Sequence, residues 1–281
     1  MAKAFIVGQP VKHSRSPLVH GHWLRQHGIE GSYERIEVAP DDFPDFLHSF
    51  ARNGYAGGNV TIPHKEAAFA GVLRRTPRAE RMKAVNTIWV ENGEVWGDNT
   101  DMLGFVAHLD QTLGSGWDRS VSSALVLGAG GASRAVVAGL QERRIKTIRI
   151  ANRTRAKAEE VMNDLGLDGS GLEAADWKDV NALVPESDLV VNTTSLGMSG
   201  QPPLDLDLSQ APASAIIADI VYVPLVTPLL AQAQNRGLRT VDGLGMLLHQ
   251  AVPGFARWFG TVPEVTPELR ELIAADVEGR R

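Results

Sequence analysis

Gly128 and Gly130 are spaced to let bare backbone approach an anion. They lie in Val126-Leu127-Gly128-Ala129-Gly130-Gly131-Ala132-Ser133. Before them, Ser123-Ala124-Leu125-Val126-Leu127 is an apolar run of strand length. After them, Ala135, Val136, Val137 and Leu140 recur at helical spacing up to Glu142-Arg143-Arg144. A glycine turn between strand and helix leaves the first N–H groups of the helix free to hold a pyrophosphate. A Gly-x-Gly pair alone is a weak signal, but its place between strand and helix points to a dinucleotide. The next strand, Thr147-Ile148-Arg149-Ile150-Ala151-Asn152, bears on which one. In an NAD site its end carries an Asp or Glu that binds the ribose 2′-hydroxyl. Here that place holds Asn152 and Arg153, with Lys157 one helical turn beyond. A carboxylate would repel a 2′-phosphate, whereas Arg grips it through parallel charge-assisted bonds. Such bonds contribute roughly 1.5–3 kcal/mol each, a preference of about tenfold or more. Most clusters of this kind are solvated basic turns; at this position the cluster argues for NADP.

A second set of polar residues falls on strand ends and turns, where ligand groups collect. His13-Ser14-Arg15-Ser16-Pro17 offers two hydroxyls before a helix. Ser16 as cap with Pro17 at the first helical position explains one of them. Ser14 is not needed for that cap, and the pair could instead hold a carboxylate. Asn59-Val60-Thr61-Ile62-Pro63-His64-Lys65 puts Asn59 and Thr61 on one strand face and Lys65 just past a proline stop. A lone lysine there reads as a solvated cation. Asn86, in Ala84-Val85-Asn86-Thr87-Ile88, reads either as a turn amide or as a substrate-binding one. Asp98-Asn99-Thr100-Asp101 reads as a turn and helix cap, since an apolar helical pattern follows Asp101.

Those residues need a scaffold. Up to about Thr100 the pattern predicts strands at 4–7, 34–38 and 58–62 and helices at 17–27 and 42–52. A hairpin of 85–90 with 94–97 turns around Asn92-Gly93. Leu103, Val106, Leu109 and Leu113 mark a helix from Asp101 that bridges two domains. Gly114-Ser115-Gly116 breaks it, and 114–122 forms part of a hinge. From 123 to about 241 strand and helix alternate, with 188–192 and 215–219 as further buried strands. Residues 245–259 and 267–275 read as helices. The expected fold is α/β, with an N-terminal α/β domain and a Rossmann-like domain built on a doubly wound parallel sheet.

A length of 281 residues suits two modest domains, and 43% apolar content suffices to build their cores. A net charge of −5 gives no support for a nucleic-acid partner. The absence of cysteine excludes disulfides, thiolate catalysis and cysteine-bound metals. His13, His20, His22 and His27 crowd one region without metal-ligand spacing or neighbouring acids, so no metal is expected. Ala4-Phe5-Ile6-Val7 is too short for a signal peptide. No run approaches the roughly 20 apolar residues that span a bilayer, and a soluble, cytoplasmic chain is expected.

Together these segments resemble the shikimate dehydrogenase family along essentially the whole chain. The motifs that carry the resemblance are Ser14-Arg15-Ser16-Pro17, Asn59-Val60-Thr61-Ile62-Pro63-His64-Lys65, Ala84-Val85-Asn86-Thr87 and Asp98-Asn99-Thr100-Asp101. Further on come Gly128-Ala129-Gly130-Gly131-Ala132-Ser133, Asn152-Arg153-Thr154, Asn192-Thr193-Thr194-Ser195 and Asp242-Gly243-Leu244-Gly245-Met246-Leu247. Each is weak alone; eight in the family's order are highly specific. The resemblance implies reversible reduction of 3-dehydroshikimate to shikimate by NADPH, in chorismate and aromatic amino-acid biosynthesis; apolar faces on the N-terminal strands could support a homodimer, but the pattern is equally compatible with a monomer. The resemblance also implies a substrate domain at 1–102, an NADP domain at 103–243, and C-terminal helices at 244–281 that return to the first.

By position, Ser14 and Ser16 would hold the substrate carboxylate. Asn59, Thr61, Asn86 and Gln250 would line the ring hydroxyls, with Tyr222 nearby. The cofactor set implied is Gly128, Ala129, Gly130, Gly131, Ala132, Ser133, Asn152, Arg153, Thr154, Lys157, Thr194, Ile220 and Gly243. Lys65 and Asp101 match the family's catalytic pair. Hydride reaching a ketone carbon leaves an alkoxide that needs a proton. Lys65 can supply it while Asp101 orients the ammonium and binds a substrate hydroxyl. Two positions depart from the family pattern. Met102 stands where glycine is common, either packing the helix or narrowing the cleft beside Asp101. Lys83 stands where a small residue is usual and is expected in solvent. The alternatives are a quinate/shikimate dehydrogenase using NAD, which Arg153 and Lys157 argue against, and a non-catalytic ligand sensor, against which Lys65 and Asp101 speak.

Overall fold

The apolar run at the N-terminus forms a central strand. β1 (Ala2–Gly8) has parallel neighbours on both sides, β2 (Gly31–Glu37) and β3 (Tyr55–Val60). It is buried from Ala4 onward without alternation, as a strand covered on both faces must be. The computed structural model describes residues 1–166 and 171–280. These form two compact units, 1–101 with 248–273 and 102–247 with 274–281.

In the first unit the chain continues through α1 (Ser16–Gln26), α2 (Phe43–Ser49), α3 (Lys65–Gly71), β4 (Arg74–Arg75), α4 (Pro77–Met82), β5 (Thr87–Glu91) and β6 (Glu94–Asp98). α5 (Asp101–Leu113) follows. The sheet order is β2-β1-β3-β5-β6-β4, with β5 antiparallel to both β3 and β6. The β5–β6 hairpin turns at Asn92 and Gly93, both at positive φ (53° and 79°), as a two-residue turn matched to strand twist requires. Phe5 anchors the core with edge-on contacts to Phe46, Phe50 and Tyr55. A Cβ on Gly58 would stand 2.4 Å from the Phe5 ring, so the bare strand lets that ring lie against it. The expected strand at 58–62 lies three residues earlier than predicted at its start and ends at Val60. Ile62 is exposed, and Pro63 has no N–H to pair.

The second unit alternates β7 (Ser123–Leu127), α6 (Gly131–Glu142), β8 (Thr147–Asn152), α7 (Arg155–Leu165), β9 (Leu172–Asp176), α8 (Val180–Leu183), β10 (Leu189–Asn192), β11 (Ile216–Asp219), α9 (Pro228–Asn235) and β12 (Arg239–Val241). α10 (Leu244–Phe259) and α11 (Pro267–Val277) complete the chain. All six strands pair in parallel, in the order β12-β11-β10-β7-β8-β9. This is the doubly wound sheet expected. The chain runs outward from β7 to β9 and then returns to the other side of β7 with β10. In such sheets ligands bind beyond the carboxyl ends of the strands at that reversal. Leu127 and Asn192 are in register there, so Gly128 and Thr193 leave the sheet side by side. No helix among the described residues is long and apolar enough to cross a membrane.

Candidate active site

In the first unit, two helix starts bring an ammonium against a carboxylate. Lys65 opens α3 and Asp101 opens α5. Lys65 Nζ donates to Asp101 Oδ2 at 2.6 Å, and Asn86 Nδ2 donates to Asp101 Oδ1 at 2.7 Å. The lysine side chain keeps 30% of its surface in solvent and the aspartate 13%. Asp101 therefore does not serve as a helix cap. Its carboxylate is taken by Lys65 and Asn86, while its own N–H donates to Asn99 Oδ1. The preceding turn is held by Asp98, whose carboxylate accepts from Thr76 Oγ1, Arg78 and the Asn99 N–H.

The capping reading of Ser16 needs correction. α1 begins at Ser16 itself, Arg15 already has helical torsions, and no side-chain cap bond forms. The Ser16 N–H donates to Ser14 Oγ at 3.3 Å, and the two hydroxyls lie 3.2 Å apart. Starting a residue early buries the Ser16 side chain beside the Tyr33 phenol. Ser14 is fixed from behind, its carbonyl accepting from Arg35 Nη2 at 2.6 Å and Nε at 3.1 Å. Tyr33 Oη donates to Asn59 Oδ1 at 2.6 Å. Burial pushes that phenol well above its usual pKa, which keeps it a donor. Thr61 stands half-buried beyond β3 with its methyl over Gly8, where a Cβ would approach within 2.4 Å. Gln250 joins this set through its backbone, whose carbonyl accepts from Thr100 Oγ1 at 2.8 Å.

His20 lies against the same cluster, stacked on Tyr33 with ring centroids 4.0 Å apart. Burial lowers its pKa from 6.5 to about 3, so it is neutral at physiological pH. Between those values the unfolded chain takes up a proton that the folded chain refuses. Stability from this residue therefore falls as pH drops through the window, by about 1.4 kcal/mol per pH unit. Substituting His20→Gln is expected to remove that slope. Between pH 6.5 and 5 the stability difference from wild type should move by about 2 kcal/mol in the variant's favour in urea titrations. A difference that stays constant would show that His20 is not held neutral. Asp219, which burial raises to about 6, titrates in both proteins and drops out of the comparison.

The second unit supplies an anion cradle at the sheet reversal. Gly128 has φ +106°, and a Cβ there would lie 2.8 Å from Thr193 Oγ1 and 3.0 Å from Thr194 Cγ2. Gly130 and Gly131 are exposed and face open space where a Cβ would be. Gly131 and Ala132 begin α6, so their N–H groups have no carbonyl before them in the helix. Ala129 and Ala132 are half-buried. Ser133 is fully buried, its hydroxyl donating to Gly130 O at 2.7 Å, which commits it to holding the turn.

At the end of β8, Asn152 Nδ2 donates to Thr154 O at 2.9 Å. Arg155 is engaged by Glu159 and Asp176. Arg153 and Lys157 are exposed and have no ion-pair partner among the described residues. On the other side of the reversal, Asn192 Oδ1 accepts from Thr194 N and Oγ1, and Asn192 Nδ2 donates to Asp219 Oδ1. The Ile220 carbonyl would lie 2.1 Å from a Cβ on Gly243, so only glycine fits beneath it. Tyr222 is half-buried in the segment after β11.

The description "Shikimate dehydrogenase substrate binding domain" fits residues 6–88, and "Shikimate / quinate 5-dehydrogenase" fits 112–246. A shikimate dehydrogenase (NADP(+)) of Methylobacterium radiotolerans is 59% identical over 279 residues, covering 99% of this chain and 98% of its own. The chain belongs to the shikimate dehydrogenase family. Shikimate 5-dehydrogenase from Thermus thermophilus, solved in complex with NADP(H) and shikimate, superposes with a TM-score of 0.85 at 34% identity, over 99% of this chain and 100% of that one. Quinate dehydrogenase from Corynebacterium glutamicum in complex with NAD superposes with a TM-score of 0.90 at 27% identity, over 98% and 99% of the two chains.

Within this shikimate dehydrogenase frame, the two unusual residues have plain structural roles. Met102 is 1% exposed, with its Cγ 3.5 Å from where a Gly139 Cβ would be. It packs α5 onto α6 in the second unit's core. Lys83 is exposed and ends α4 in a left-handed conformation, φ 50°. Sequence reasoning passed over Tyr33 and counted His20 only among the crowded histidines. A single aromatic near the start of an edge strand carries no periodic signal that would mark it.

Proposed function

We propose that this chain catalyses the reversible NADPH-dependent reduction of 3-dehydroshikimate to shikimate. The observation that carries the reading is the Lys65–Asp101 contact at 2.6 Å, with Asn86 on the second carboxylate oxygen. The cradle at Gly128, Gly130 and Gly131 suits a dinucleotide, since no Cβ blocks the helix start. The missing carboxylate after β8 and the uncommitted Arg153 and Lys157 suit a 2′-phosphate. Thr194, Ile220 and Gly243 shape the opposite wall. Bound there, NADPH supplies the hydride that reduces a ketone carbon.

Lys65 then delivers a proton to the carbonyl oxygen as negative charge develops on it, so that hydride and proton together complete the hydroxyl. Asp101 keeps the ammonium aimed and stabilises its positive charge before transfer. Partial exposure of Lys65 lets solvent return the proton afterwards. In the oxidising direction the neutral amine accepts the hydroxyl proton. Ser14 and Ser16, two hydroxyls beside a helix start, bind the substrate carboxylate, with the Arg35 guanidinium on the Ser14 carbonyl. Asn59, Thr61, Asn86 and Gln250 serve the ring hydroxyls.

Initial rates of oxidation of shikimate and of quinate, each with NADP and with NAD, test the whole reading at once. Shikimate with NADP is expected to exceed both NAD pairs by at least about tenfold, the margin the phosphate grip alone provides, and to exceed quinate with NADP as well. Preference for quinate or NAD would overturn the substrate or cofactor assignment. Binding without turnover would leave a sensor rather than an enzyme.

A further inference from the structure

Asn86 can present its NH2 group to Asp101 only if its amide is held one way round, and the neighbouring protons show what holds it. Asn86 Oδ1 lies 2.9 Å from both the Thr100 N–H and Thr87 Oγ1. Thr100 Oγ1 also lies 3.2 Å away, but its single proton has a closer acceptor in the Gln250 carbonyl at 2.8 Å. That carbonyl can only accept, so the Thr100 proton belongs to it. Thr87 Oγ1 in turn accepts from Asn59 Nδ2 at 3.2 Å, and for its own proton Asn86 Oδ1 at 2.9 Å is a nearer acceptor than Thr100 Oγ1 at 3.3 Å. The donors therefore run in one direction, from Tyr33 through Asn59 and Thr87 to Asn86 and onto Asp101. A flipped Asn86 would set NH2 against the Thr100 N–H and a carbonyl oxygen against the Asp101 carboxylate. Thr87 is 1% exposed and sits at the start of β5.

We propose that Thr87 is a positioning residue, whose hydroxyl fixes the Asn86 amide and thereby leaves Asp101 Oδ2 to Lys65. This rests on the functional reading above, in which Lys65 and Asp101 work on the substrate. A β-branched residue in a buried strand could also be there for its shape alone, and two substitutions separate the roles. Thr87→Val keeps the shape and β propensity but removes the hydroxyl. Thr87→Ser keeps the hydroxyl and loses a methyl.

With shikimate and NADP, Thr87→Val is expected to lower kcat by about 10–100-fold, more than it raises KM, because a displaced acid loses near-attack geometry. Thr87→Ser is expected to retain wild-type kcat within about threefold. Wild-type kcat in the valine variant, or equal damage in both, would overturn the proposal. If Thr87→Val does not fold, Thr87→Ala against Thr87→Ser isolates the hydroxyl, and equal kcat values there would overturn it as well. The Asn86 side-chain amide signals, assigned by their loss in Asn86→Ala, give a readout independent of turnover. They should move in Thr87→Val and stay in place in Thr87→Ser; unmoved signals in the valine variant would sink the role of Thr87. Wild type inactive on shikimate would instead sink the functional reading.

Discussion

Replacing Lys65 with methionine is expected to lower kcat by about 10²–10⁴-fold, the usual contribution of a positioned proton donor. Methionine keeps much of the side-chain length and removes only the ammonium, so the loss reports on proton transfer more than on packing. Folding should survive. The Lys65–Asp101 pair is partly exposed, and pairs of that kind contribute about 1 kcal/mol or less to stability. Asp101 also retains its bond from Asn86. Shikimate affinity should change by no more than about tenfold, because the carboxylate and the other hydroxyls have their own partners. Steady-state rates, a shikimate titration and a thermal melt of the variant separate these effects. Near-normal turnover would remove Lys65 from the chemistry, and a collapsed Tm would make it structural.

How much of this could be read from the chain depends on what each residue had to satisfy. β7 appears where predicted because a buried parallel strand demands an apolar run, which 124–127 supplies, and β8 because Ile148 and Ile150 alternate with the half-buried Arg149. The glycines of the cradle were legible because no other residue adopts φ +106° at Gly128 without strain. α4 and β4 were not read from the sequence. They are six and two residues long and rich in arginine, and they hold their places through tertiary bonds such as Arg78 to Asp98. Ser16 does not cap because a cap residue must itself be non-helical, and α1 already includes Ser16.

The candidate site divides along the same line. Lys65, Asp101 and Asn86 could be picked out because they fall in motifs with a known order. What joins them could not. Whether an asparagine amide faces a carboxylate depends on which neighbour has a proton to spare. That is settled by the Thr100 N–H and the Thr87 hydroxyl, both donating to the Asn86 oxygen. The departures show the reverse case. Met102, which the sequence allows either to pack the helix or to narrow the cleft, is buried with its Cγ against Gly139 in ordinary helix packing.

Exchanging Arg153 for aspartate is expected to turn cofactor choice over. Losing a charge-assisted grip on the 2′-phosphate forfeits roughly 1.5–3 kcal/mol, or about 10–150-fold in NADP affinity. The new carboxylate also repels the phosphate, which pushes the loss toward the upper end. NAD gains an acceptor for its 2′-hydroxyl at the same place, as in sites built for it. Lys157 cannot make good the loss. It is the third residue of α7, four positions past Arg153, and offers a compact point charge rather than a planar fork. Arg155 cannot either, being held by Glu159 and Asp176. The ratio of kcat/KM for NADP over NAD should therefore fall by about 10²-fold or more in Arg153→Asp. Salt offers an internal check. Arg153 is exposed, so its advantage for NADP in the wild type should shrink as ionic strength rises from about 0.05 to 0.5 M, whereas the variant's ratio should not shrink, since there the same salt screens a repulsion. A variant that keeps the wild-type ratio would move 2′-phosphate recognition away from the end of β8 and reopen the choice between NADP and NAD.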